Sequence, residues 1–216
     1  MKLALKIMLL FSSMITSFCF AESSLSGYLG FSSKYIDRGV IIKTGSANLG
    51  LDWQINNWST ELWVADLGTG LEQEVSGSYS FDINSDGFLS LRYGYTTYTN
   101  EYDQPYEEFS VFTGTGKFFI ELTQGYWQGD NAQEDEYSFY SINYTPGNFL
   151  LSYGVFGNEY EGDYLEVGYN FVFQTFDLNF SVVVSSEELS DDMYFPEDAE
   201  TKTHLVLSIY KNFDVF

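Results

Sequence analysis

The residues with chemistry to offer sit at alternate positions of short segments: Lys34, Asp52, Glu61, Glu74, Arg92, Glu108, Glu121, Glu166, Asp177 and His204. Apolar side chains fill the intervening positions, so the charges fall on one face and the apolar groups on the other. Charges ranked along one face of a sheet can line an aqueous path and bias it by their sign. They can equally pair off and fill an interior with satisfied ion pairs, leaving no path. Catalysis is the weaker reading. His204 is the sole histidine, and no spacing gives it an acid or nucleophile partner. The chain has no glycine-rich phosphate loop, no paired Cys or His ligands and no Gly-x-Ser-x-Gly elbow. A role without chemistry on the solute, and without a cofactor or metal, is expected.

Two further features flank the charged faces. Arg38-Gly39 stands where the first segment meets its connector. Glycine there suits a turn with positive φ, and Arg38 could also hold the first outer loop, or an anionic solute, at a mouth. The last connector is dense in carboxylates: Glu187, Glu188, Asp191, Asp192, Glu197, Asp198 and Glu200. Calcium takes oxygen ligands, but this spacing fits no EF-hand and lacks its central glycine. A solvated acidic loop, or one bridged by divalent ions to lipopolysaccharide phosphates, is the reading it supports.

Only strands can place the charges in this way. The alternation predicts twelve: Gly27–Ile36, Ala47–Ile55, Ser59–Ala65, Glu72–Phe81, Phe88–Thr97, Glu107–Thr113, Lys117–Trp127, Tyr137–Tyr144, Phe149–Phe156, Tyr164–Phe173, Phe176–Val184 and Thr203–Phe213. A misread hairpin would make the count ten or fourteen. Long connectors (Asp37–Ser46, Tyr98–Tyr106, Gln128–Glu136, Ser185–Lys202) alternate with short ones such as Asn56-Asn57, Gly114–Gly116 and Gln174-Thr175. That is the pattern of an antiparallel up-and-down transmembrane β-barrel, with long outer loops and tight inner turns. No segment after the first twenty residues carries a helical period.

One face of each strand is free of charge: Leu49, Leu51, Trp53, Ile55; Leu89, Leu91, Tyr93, Tyr95; Leu165, Val167, Tyr169, Phe171; Phe176, Leu178, Phe180, Val182, Val184; Leu205, Leu207, Ile209. Alternation alone does not say whether this face points out or in. A soluble barrel that binds a ligand in the periplasm would turn it inward. So many large side chains would overfill a small barrel, so an outward, lipid-facing placement is expected. The 18 Tyr and 20 Phe suit the membrane–water boundary.

Residues 1–21 read as a signal peptide: Lys2 and Lys6, then the mostly apolar stretch Ile7–Phe20, with cleavage after Ala21. Residues 22–216 then form one barrel domain. Cys19 is the only cysteine and leaves with the leader, so no disulfide is available. Seven basic residues remain against 31 acidic, a formal charge of −24. Such a chain does not bind nucleic acid through phosphates. Its negative field either keeps loops soluble or concentrates cations at a mouth.

Several stretches match a family pattern. Tyr35-Ile36-Asp37-Arg38-Gly39-Val40 is a variant of an aromatic–x–Arg-Gly element. Gly50-Leu51-Asp52-Trp53 and the Trp-bearing return Trp58–Ala65 follow, then Glu72-Gln73-Glu74-Val75-Ser76-Gly77-Ser78-Tyr79. The chain closes with Lys202–Phe213. In these short motifs it resembles the TorF-type porins, Gcw_chp-like outer-membrane proteins of Gram-negative bacteria without an assigned function. One departure is the ending, where Phe213 is in phase with the outward face but the terminal Phe216 is not. The resemblance implies an outer-membrane barrel that meets lipid, lipopolysaccharide, the barrel-assembly machinery and small solutes. The expected function is passive, cation-preferring diffusion, with a non-conducting barrel whose acidic loops serve adhesion or structure as the alternative.

Overall fold

The computed structural model describes residues 23–100, 102–128, 134–158, 161–190 and 201–216. The leader expected at 1–21 lies outside them, as do Asp191, Asp192, Glu197, Asp198 and Glu200. Twelve antiparallel strands close into a barrel. They are β1 (Ser23–Asp37), β2 (Val40–Ile55), β3 (Trp58–Asp66), β4 (Leu71–Asp82), β5 (Gly87–Tyr98) and β6 (Tyr106–Thr115). Then follow β7 (Phe118–Gln128), β8 (Glu134–Tyr144), β9 (Phe149–Asn158), β10 (Gly162–Phe173), β11 (Phe176–Ser185) and β12 (Lys202–Asp214). Each strand pairs with its sequence neighbours, and β1 pairs with β12 to close the ring.

The apolar faces point outward. Phe180, Leu207, Leu151 and Leu62 are exposed, whereas Ser110, Thr96, Ser181 and Ser208 on the opposite faces are buried. A soluble barrel would reverse this order, so the exterior is that of a membrane-spanning barrel. Aliphatic and aromatic residues share the middle of the belt, where Phe180 pairs with Leu207. Aromatic side chains gather toward the short turns, where Trp58, Tyr79 and Phe81 pack edge to face and Phe118 stacks on Tyr144. Ile55, expected on the lipid face, is instead buried at the turn end of β2, between Ser23 and Trp58.

Three departures from the expected pattern matter. The connector expected at Asp37–Ser46 does not exist as a loop: β1 runs to Asp37 and β2 starts at Val40, joined only by Arg38-Gly39. Both residues have positive φ, 44° and 85°, as a two-residue hairpin turn of the I′ kind requires. The last connector holds a one-turn helix, α1 (Glu187–Ser190), where no helix was expected. Its Leu189 is buried. Finally, the chain stays paired beyond Phe213, where the last strand was expected to end. Asp214 still pairs with Ser26, Val215 N–H donates to the Leu25 carbonyl (2.8 Å), and Leu25 N–H donates to Phe216 O (3.0 Å).

The closing seam also has a packing lock. The Phe213 ring lies over Gly27, where any Cβ would come within 2.7 Å of it. The belt predicts a depth-dependent response to charge. Leu207→Arg, at mid-height, should destabilise the barrel by about 2–4 kcal/mol, and Phe173→Arg, beside a turn, by about 0–1 kcal/mol. Urea unfolding of protein refolded in lipid vesicles would show it; equal costs at the two positions would contradict the assigned belt.

Candidate functional site

The β1–β2 hairpin does not stay in the wall. β1 pairs with β12 only as far as Ser32–Ser208, yet it pairs with β2 to Asp37–Val40. β2 in turn meets β3 only from Asn48–Ala65 onward. The ribbon between Ser33 and Ala47 therefore has no strand neighbour on either side, and a register shift at Tyr35/Ile36 bends it. It turns into the lumen and reaches the opposite wall.

Its tip is held there by charge. Arg38 forms a forked salt bridge with Glu108 of β6 and a second with Glu121 of β7 (2.9 Å). Tyr137 of β8 completes the cluster: its hydroxyl accepts from Arg38 (3.1 Å) and donates to Glu108. The guanidinium also lies 4.7 Å over the Phe139 ring. Thr123 Oγ1 donates to Glu121 (2.8 Å). Removing one member of such a cluster leaves an uncompensated buried charge.

Packing and further hydrogen bonds hold the rest of the ribbon. Ile36 and Val40 lie against an apolar cluster of Tyr137, Phe139, Tyr164, Val183, Leu189 and Val206. Ser185 Oγ donates to the Gly39 carbonyl (2.6 Å), and a Cβ on Gly39 would run into Tyr164. On the other flank Tyr35 donates to Glu72 (3.0 Å) and packs on Trp63, with ring centroids 5.7 Å apart. Lys43 pairs with Asp66 at the ribbon's base.

The ribbon thus splits the lumen. Between it and the β3–β7 wall lies a cavity of about 440 Å³ that takes in Asp37, Arg38, Glu61, Glu72, Glu74, Arg92, Glu108 and Glu121. Below this a serine-rich chamber of about 430 Å³ shares Glu61 and Arg92 with it. On the β10–β12 side a smaller cavity of about 250 Å³ contains Lys34 and Glu166. Arg92 pairs with Glu74 and approaches Glu108 at 3.9 Å. Lys34 donates to His204 Nδ1 (3.1 Å). Asp52 accepts from Ser59 (3.2 Å), and Asp177 accepts from Asn212 near the short turns, away from the ribbon.

Of the residues singled out by sequence, then, Arg38, Glu74, Arg92, Glu108 and Glu121 come together with Glu61, while Asp52 and Asp177 stand apart. Gly39 is the turn glycine, and Arg38 both makes the turn and holds the loop. Sequence reasoning missed Tyr35, Asp37, Trp63, Glu72, Tyr106 and Tyr137. Among the described residues no three His, Cys, Asp or Glu side chains are placed to hold a metal.

Fold and site together define a membrane-spanning β-barrel with a constricted lumen. No family model matches the chain, and no curated protein matches it in sequence. Among solved structures it superposes on a KdgM porin with a TM-score of 0.55 at 10% identity, over 88% of this chain and 99% of the other. Acinetobacter baumannii OccAB3 (TM-score 0.46, 12% identity) and Pseudomonas aeruginosa OprD (0.44, 10%) match 89% and 90% of this chain, and 65% and 67% of their own. At such identities the likeness is one of fold. What is shared is the architecture of a closed antiparallel β-barrel.

The clamp makes a prediction about the ribbon. Arg38→Ala should release it, at a cost of about 3 kcal/mol, because among the described residues Glu121 loses its only ion pair and Glu108 keeps only Tyr137 and the more distant Arg92. Hydrogen–deuterium exchange of the refolded barrel should then speed up in the amides of 33–47 and not in the wall strands. Unchanged protection of 33–47 would mean that the apolar cluster alone seats the hairpin.

Proposed function

We propose that the protein is an outer-membrane channel for passive diffusion of small solutes, with a preference for cations. The observation that carries this reading is the charge of the gap beside the ribbon. Six carboxylates line it against two guanidiniums. Among the described residues Asp37, Glu61 and Glu72 form no salt bridge, whereas Glu74, Glu108 and Glu121 do. Carboxylates left unpaired in a narrow, low-dielectric passage raise the local concentration of cations and repel anions.

The fold shared with a KdgM porin supports a path through the barrel, and the aromatic and aliphatic belt supports membrane insertion. The resemblance of the short motifs to the TorF-type porins adds the outer membrane of a Gram-negative cell. There residues 1–21 would serve as the export leader and 22–216 as the barrel. Lipid and lipopolysaccharide would meet its exterior, and the assembly machinery would read its last strand. No step of this function acts chemically on the solute. A second reading, a non-conducting barrel, is favoured by the apolar cluster that packs the hairpin tip.

Single-channel recording in a planar bilayer with a KCl gradient separates the two readings. Discrete steps with a reversal potential favouring potassium are expected. Asp37→Asn with Glu61→Gln should bring that potential toward zero, and Glu121→Gln, which neutralises a group already paired with Arg38, should move it less. Silence from protein shown to be folded and inserted would establish the plugged barrel instead.

A further inference from the structure

The smaller cavity, on the β10–β12 side of the ribbon, has a chemistry of its own. Two opposite charges face it, Lys34 of β1 and Glu166 of β10, and they do not meet: among the described residues neither forms a salt bridge. Lys34 gives one hydrogen to His204 Nδ1, leaving two of its three donors free. Glu166 accepts from Ser181, which occupies only part of its capacity. The third charge at the cavity edge, Arg38, is committed to Glu108 and Glu121.

Asn48 adds a side chain to the wall, although its Oδ1 is turned away onto Gly30 and is shut off from the cavity. The remaining wall is aromatic, with Tyr28, Trp63 and Tyr210, and Tyr28 and Tyr210 meet edge to face at 6.0 Å. At about 250 Å³ the space falls below the roughly 300–1,000 Å³ that drug-sized ligands fill.

We infer that this cavity is a binding site for a small zwitterion, a molecule carrying an ammonium and a carboxylate on a short apolar frame. The carboxylate takes the free hydrogens of Lys34. The ammonium donates to Glu166, and the frame lies against the aromatic wall. A singly charged solute satisfies one end and leaves the other buried charge without a partner. The site thus discriminates against each half of its ligand.

Isothermal calorimetry on the refolded full-length barrel in detergent tests this with three probes. L-leucine carries both charges, L-leucinamide only the ammonium, and N-acetyl-L-leucine only the carboxylate. Leucine should bind, and each analogue should bind at least about tenfold more weakly, the effect of one lost charge-assisted contact. Lys34→Met should weaken leucine at least tenfold while leaving leucinamide unchanged, and Glu166→Gln should weaken leucine at least tenfold while leaving N-acetylleucine unchanged. Asp52→Asn, a lumenal change outside the cavity, should alter none of them. The inference is overturned by no heat from leucine in protein shown to be folded by gel mobility, by equal binding of the three probes, or by leucine binding that survives both variants. Because the measurement needs no current, a barrel that proves silent in the bilayer still gives a result.

Discussion

Everything in this molecule follows from the absence of water around its middle. A strand edge exposed to lipid would leave a row of peptide groups without partners, each costing several kcal/mol. Closure of β1 on β12 removes that edge, and Phe213 seated over Gly27 fixes the register at which it happens. Once the ring is closed, the two faces of each strand face different solvents. Apolar side chains must go outward, and the polar residues become the interior. The serine-rich lumen is the direct result, since the inner face of a twelve-stranded ring has room for a second structure only if the wall residues are small.

That second structure is the hairpin. A ribbon inside a barrel loses its strand neighbours, so its cost must be offset by contacts made at its tip and along both faces. Arg38 supplies the ionic part, reaching two carboxylates on strands on the far side of the ring. Ile36 and Val40 supply the apolar part against β8 and β10–β12. The division of labour explains the lumen's asymmetry. Where the ribbon packs on apolar residues the barrel is filled, and where it faces β3–β7 a charged gap is left open.

The barrel was legible in the sequence, and the ribbon was not. Period-two alternation reports which side of a wall a residue faces, and for β5, β11 and β12 the exposed large apolar residues are those the alternation assigns, whereas β10 also exposes Val172 beside its turn. The rule presumes one wall with lipid on one side. From Ser33 to Ala47 there is no lipid on either side, so Lys34, Tyr35, Ile36 and Arg38 all reach the lumen and parity carries no information. Glu72 and Trp63 were missed for a related reason, since their importance comes from Tyr35, a partner 37 residues from Glu72 in sequence. The one available signal was Arg38-Gly39, whose second residue tolerates positive φ and so permits a two-residue turn.

The position of the hairpin in the chain has a temporal consequence. It is made first and is the last element able to find its seat. Its partners are Glu121 and Ser185, 83 and 146 residues downstream, and His204, 170 residues downstream of Lys34. No local nucleus can place it, because contacts so far apart in sequence form only after the intervening chain is ordered. The wall must therefore be essentially complete before the plug is installed, and the immature barrel passes through a stage in which its bore is wider than that of the finished molecule.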